Sequence, residues 1–281
     1  MSSASVSSRI PPLLDPYLAL PPEASLVLLT SVLGASSNWL VLRFLHRALL
    51  GPDASSNASA DGDTKVLLVS FMRDLAFWKE NARRLGLDLD KLAAKKRFAF
   101  VDGLSGLFLP KQRALSGRGG EKILNSSDLT ALYGELQQAI QSLGDAGRVL
   151  LVVDQLDLVL ATGGDRVDAV GLGEMLLGLR EHVHATVLTL SADSPLVSVQ
   201  QTPLETDHAA FLLGMAHQAD LIMSLRLLDS GTARDVSGVV RITAGNQTGE
   251  MDQGTQQRVE EKELLYFVGG DGGVKVFERG Q

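Results

Sequence analysis

TSVLGASSN, Thr30 to Asn38, lies between a strand-like run, Leu26 to Thr30, and a helix-like run, Trp39 to Leu50. Strand, tight turn and helix in that order is where a phosphate-binding loop sits. In the form GxxxxGK[ST], such a loop needs glycines so that backbone N–H groups can wrap the phosphates, a lysine to neutralise them and a hydroxyl for Mg²⁺. Laid on that template, Thr30 and Ala35 stand where the glycines belong, Ser36 replaces the lysine, and only Ser37 fits. The place is right and the chemistry is missing. The expectation is an ATPase-like fold without ATP chemistry of its own. An ordinary strand-turn-helix unit with no nucleotide ancestry is the alternative for the turn taken alone.

Outward from the turn, strands and helices alternate. Val66–Phe71 and Arg97–Asp102 read as strands, and Val149–Val153, ending at Asp154, is the most apolar of all. Leu75, Trp78, Ala82 and Leu85 recur at helical spacing after Asp74, an N-cap, with Gly86 as a stop. Asp128 to Leu143 repeats the pattern, and further helices are expected near Val167–Val183 and His208–His217, with a strand near Ala185–Leu190. Beyond Asp220–Leu228 the pattern changes to strands joined by turns: Val236–Thr243, Leu264–Val268 and Val274–Phe277, the last two joined by GGDGG at 269–273. This order predicts an α/β fold, a mostly parallel sheet flanked by helices and extended by C-terminal antiparallel hairpin strands. Residues 1–22 read as an N-terminal extension and 23–281 as one domain, with flexible loops near 51–64, 111–127 and 245–262.

The chain has 281 residues, a formal net charge of −7 and no cysteine. Acidity argues against nucleic-acid binding by the whole surface and leaves room for a local basic loop. Without cysteine there are no disulfides, thiolate zinc sites or cysteine nucleophiles. Prolines break up residues 1–22, which lack the basic start and continuous apolar core of a secretory signal, so cytoplasm or nucleus is the expected location. The apolar stretch Ala24 to Leu50 is interrupted at Gly34–Asn38 and carries Arg43, His46 and Arg47, which argues against a membrane span.

In LLVVDQLD, Asp154 ends a hydrophobic strand where a phosphate-loop ATPase places its Mg²⁺-positioning carboxylate, although many buried parallel strands end in a polar residue. Asp157 reads as a solvated loop acid. The carboxylate that would activate water after the second core strand has no clear counterpart, since Asp74 is better explained as a cap. The histidines show no HExxH spacing, and Ser105 sits in GLSG, not GxSxG. No catalytic residue, cofactor or metal is therefore expected. The loop KQRALSGRGGEK sets Lys111, Arg113, Arg118 and Lys122 against Glu121 alone; it is either a solvated loop or a grip for RNA phosphates, recognising backbone charge without stacking on bases.

The segments SFMRD, FWKENARRLGLDL and RFAFVDGL, followed in order by LLVVDQLDLVLAT, ADLIMSLRLLDSG and ELLYFVGGDGG, resemble the Elongator complex subunit six family over most of the chain. That resemblance implies a RecA-like ATPase fold in a hetero-hexameric ring with Elongator subunits four and five, working with the remaining Elongator subunits. The ring binds tRNA and supports modification of the wobble uridine. It further implies a non-catalytic subunit, and in such a ring a silent subunit can still complete a neighbour's nucleotide site; Arg241 in VVRI is the foremost candidate for that contact, Arg226 and Arg234 are competitors, and an ordinary surface arginine is the alternative. The rival expectations are an active ATPase with a divergent phosphate loop and a stand-alone RNA-binding module.

Overall fold

The computed structural model describes residues 10–51, 64–108, 121–144, 147–229, 231, 233–245 and 259–279. Its centre is set by strands with no polar face. In β1 (Leu26–Ser31) and β5 (Val149–Asp154) every residue is buried, because side chains alternate across a sheet that is covered on both sides. With β2 (Lys65–Ser70), β3 (Phe98–Asp102), β4 (Glu121–Ile123), β6 (Ala185–Ser191) and β7 (Leu221–Arg226) they form a parallel array. β8 (Gly238–Ala244), β9 (Lys262–Val268) and β10 (Val274–Phe277) continue it antiparallel. The order across the sheet is β10-β9-β8-β7-β1-β6-β5-β2-β3-β4. The predicted parallel sheet with antiparallel C-terminal strands is the one observed.

On one face lie α1 (Asn38–Leu50), α2 (Leu75–Arg84) and α3 (Leu89–Ala94), packed on Val27, Leu29, Val66, Leu68, Leu150 and Val152. The other face carries α5 (Leu129–Ser142), α6 (Asp157–Gly163), α7 (Ala169–Arg180) and α9 (Pro203–Gln218) on the alternate set, Leu26, Leu28, Leu67, Val69, Leu151 and Val153. Two short helices, α4 (Ser105–Phe108) and α8 (Ser194–Val197), sit in connections at the strand ends. Asp74, Asp128 and Asp168 each cap a helix by accepting from a backbone N–H in its first turn.

Several boundaries differ from the sequence reading. α9 starts at Pro203, five residues before His208, because Thr202 and Glu205 form a reciprocal capping box that the apolar periodicity does not register. Residues 121–123, expected within a loop, pair with β3 as the edge strand β4. Residues 10–22, read as an extension, supply Leu14 and Leu18 to the α1 layer, and the Tyr17 hydroxyl donates to the Glu260 carbonyl at 2.8 Å. Most of the loops expected near 51–64, 111–127 and 245–262 lies outside the described residues. In the GGDGG turn, Gly272 supplies the positive φ, +82°, and the Gly269 N–H closes on the Gly273 carbonyl at 2.8 Å.

Candidate functional site

Parallel strands of an α/β sheet deliver their C-terminal ends to one rim, and the sheet order reverses beside β1, where ligands bind in such folds. The turn after β1 forms that part of the rim. Its Leu33 N–H donates to Asp193 Oδ1 at 2.8 Å, so a carboxylate takes a backbone donor at the place where a phosphate loop would meet its anion. Ala35 N–H closes the turn on the Val32 carbonyl at 2.9 Å. Gly34 adopts φ +91°, and Leu227 packs against it. Ser36, in the lysine position, accepts from the Asn38 N–H at 3.3 Å, while the Leu33 side chain stands 87% exposed at the apex.

At the tip of β5, Asp154 is fully buried. Ser70 Oγ donates to its Oδ2 at 2.7 Å and Thr189 Oγ1 to its Oδ1 at 3.1 Å, so the carboxylate clamps the ends of β2 and β6 to β5. Burial pushes its pKa up to about 6; the two hydroxyls and Arg73 favour the charged form, and Asp157 opposes it. The network continues through Thr189, which accepts from the Gln155 N–H at 2.9 Å, and Ser191, which donates to Gln155 Oε1 at 2.9 Å. Gln155 holds a left-handed φ of +58° to make that corner.

Asp157 corrects an expectation. It is 6% exposed, not a solvated loop acid, because α6 tucks its first turn beneath α9. Its Oδ2 accepts from the Ser191 N–H at 3.2 Å and lies 3.9 Å from His208 Nδ1, while His208 Nε2 donates to the Ser191 carbonyl at 2.8 Å. Burial raises the Asp157 pKa, and the Ser191 hydrogen bond and His208 pull the other way. Asp193, Thr189, Ser70 and His208 all shape this rim, and the sequence reading assigned none of them to it. A serine or threonine closing a strand was the available signal, and it is common to many strand ends.

Asp74 accepts from the Phe77 N–H at 2.8 Å, as a cap does. Lys122 lies in β4, with Nζ donating to the Glu135 carbonyl at 2.8 Å and to Gln138 Oε1 at 3.1 Å, both on α5. Lys111, Arg113 and Arg118 lie outside the described residues. Arg241 is exposed on β8, in register with Ser224 of β7 and Glu263 of β9. Arg226 is held by Asp229 at 2.8 Å and Glu263 at 3.2 Å, and Arg234 is exposed in the connection to β8. Among the described residues no group of three His, Asp or Glu is placed to hold a metal ion, and no helix is long and apolar enough to cross a membrane.

A parallel core, a turn in the phosphate-loop place and an antiparallel C-terminal extension define a RecA-like α/β domain. A solved KaiC-like protein of the archaeon Pyrococcus horikoshii shares this fold with a TM-score of 0.56 and 15% identity, over 97% of this chain and 98% of that one. A family model described as Elongation complex protein 6 matches residues 59–266, and the chain belongs to that family. Among curated relatives, the Elongator complex protein 6 homolog of Schizosaccharomyces pombe is 23% identical over 265 residues, covering 93% of this chain and 94% of the relative. Elongator complex protein 6 of Danio rerio is 23% identical, covering 77% and 80%, and that of Xenopus laevis 22%, covering 73% and 80%.

Proposed function

We propose that this chain is a non-catalytic structural subunit of a hetero-hexameric RecA-like ring within the Elongator complex. In this reading it assembles with Elongator subunits four and five, acts with the remaining subunits in the cytoplasm or nucleus, and supports tRNA binding and wobble-uridine modification by the assembled complex. The observation that carries the proposal is the sealed rim. The carboxylate in the Mg²⁺-positioning place is buried between two strand hydroxyls, and a loop N–H in the phosphate place is held by Asp193. One group in the Mg²⁺ place and one in the phosphate place are thus engaged by the protein itself, which supports the reading of a phosphate loop degenerate in chemistry as well as in sequence.

Two further features support a ring role. The rim presents Leu33 and Leu227 to solvent, apolar contacts suited to a neighbouring subunit. Arg241 is exposed on β8 without an ion pair among the described residues, whereas Arg226 is neutralised by two acids; Arg241 is thus the cation better placed to meet a neighbour's nucleotide. The test combines native mass measurement of the chain purified with its associates and ATP turnover by the chain alone. Two other RecA-like chains in a closed assembly and no turnover above a blank are expected. A stable monomer, or turnover by the isolated chain that Asp154→Ala abolishes, overturns the proposal in favour of an active ATPase. Tight tRNA binding by the isolated chain, lost on charge reversal at Lys111, Arg113 and Arg118, would favour a self-sufficient RNA module instead.

A further inference from the structure

Arg43 of α1 carries a guanidinium that is 2% exposed. One terminal nitrogen donates to the Trp39 carbonyl at 3.0 Å and the other to the Gly272 carbonyl at 2.9 Å, tying α1 to the β9–β10 turn. Its Nε is buried with no hydrogen-bond partner, and among the described residues no carboxylate forms an ion pair with it. Burial lowers its pKa to about 10 and no neighbouring acid opposes the shift, so the group is still a cation at neutral pH. The guanidinium also lies 5.8 Å from the centre of the Trp39 ring, and a buried charge held only by two carbonyl dipoles and a ring face is an expensive arrangement unless an anion completes it.

A cavity of about 330 Å³ adjoins this cation, walled by Trp39, Arg43, Phe77, Asn81 and Tyr266 and by Gly272 of the turn. The Trp39 and Tyr266 rings meet at 4.9 Å between centroids, tilted by 37°. That volume is at the lower end of the range that small-ligand pockets occupy, ~300 Å³ upward, which suits one flat ring system with one acidic group. We propose that this cavity binds a small organic anion with a flat, apolar body. Its acid group meets Arg43, and its body lies among Trp39, Phe77 and Tyr266. The cavity reaches the turn after β1, where Gly34, Ser36 and Asn38 line it, and it takes its charge from Arg43 of α1 in place of the lysine which that turn lacks. Nucleoside monophosphates and aromatic carboxylates share the required chemistry.

Calorimetric titration of the full chain tests the proposal, with adenosine 5′-monophosphate in one arm and phenylacetate in the other. Saturable binding of at least one, with a Kd below ~1 mM, is expected. The arm that saturates identifies the source, phosphate or carboxylate, and both saturating assigns a general anion site. Arg43→Met should weaken binding at least ~10-fold, the loss expected when a charge-assisted hydrogen bond is removed. Should that variant fail to fold, Asn81→Phe decides: it fills the cavity from a half-buried position on α2 and should abolish saturation while leaving the circular dichroism spectrum unchanged. No saturation by either anion, or affinity unaltered in a folded Asn81→Phe chain, overturns the proposal.

Discussion

Asp154→Asn separates a carboxylate that clamps strands from one that serves a metal, and its effect follows from the burial of that side chain. In wild type the Asp154 pKa moves from 3.8 in a free chain to about 6 in the fold. A raised carboxyl pKa means that the folded state prefers the protonated form. This group's contribution is therefore fully present below pH 3.8 and lost as pH rises through about 6, flat thereafter. At ~1.4 kcal/mol for each tenfold change in proton affinity, the folded state gives up about 3 kcal/mol over that window. Asparagine is the same size and carries no charge to bury, but its amide can replace only one of the two acceptor oxygens that Ser70 and Thr189 donate to. The lost hydrogen bond costs ~1–1.5 kcal/mol. The variant is therefore expected to be less stable than wild type near pH 4 and equal to it or slightly more stable near pH 7. Urea unfolding of both chains across that range gives the difference curve, which should rise by about 2–3 kcal/mol with pH. A flat curve would refute the assigned burial. Stabilisation of wild type by MgATP that the variant loses would show Asp154 to be open to a ligand.

Leu14→Ala removes a fully buried side chain from the N-terminal segment and should cost ~2–5 kcal/mol in urea unfolding, which a dispensable extension would not. Asp74→Ala removes the acceptor for the Phe77 N–H and should lower stability by ~1 kcal/mol, with ATP turnover unchanged from whatever the parent chain shows. Gly34→Ala forces a Cβ into the +91° backbone of the turn; the methyl group would meet Leu227 only at ordinary contact distance, so the expected cost is ~1 kcal/mol of backbone strain, read by thermal unfolding.

Much of this fold is legible because its central strands repeat one physical requirement. Up to their polar C-terminal ends, VLLVV in β5 and LVLL in β1 carry apolar side chains alone, and such runs imply helices on both faces. The GGDGG turn announces its hairpin through the residue that must hold φ +82°. The rim is less legible, because its contacts join residues far apart in the chain. Leu33 and Asp193 are 160 positions apart, and nothing local to either distinguishes a loop N–H held by an acid from one left to solvent. Asp157 shows the same difficulty. Three residues past a strand it resembles any exposed acid, and its burial depends on α9, whose His208 and the neighbouring Ser191 lie beside it in the fold alone. β4 is only three residues long and carries no fully buried position, so its pairing with β3 leaves no apolar run to read.

The two roles open to an acid at the tip of β5 compete for the same oxygen atoms. A metal-positioning carboxylate must face the cleft and stay charged, whereas Asp154 faces inward, with each oxygen engaged by a hydroxyl from a neighbouring strand and a pKa that burial drives upward. The turn after β1 faces the same choice. Its Leu33 N–H donates to Asp193, which ties the turn to the start of α8. In a working phosphate site the bound nucleotide would draw such groups together. Here side chains of the protein make those links, so β2, β5, β6 and the β1 turn are joined at the rim by the chain's own hydrogen bonds. Retention of a strand-end acid beside a turn without lysine is therefore no contradiction: the carboxylate holds the sheet ends, a duty that does not depend on a lysine in the turn.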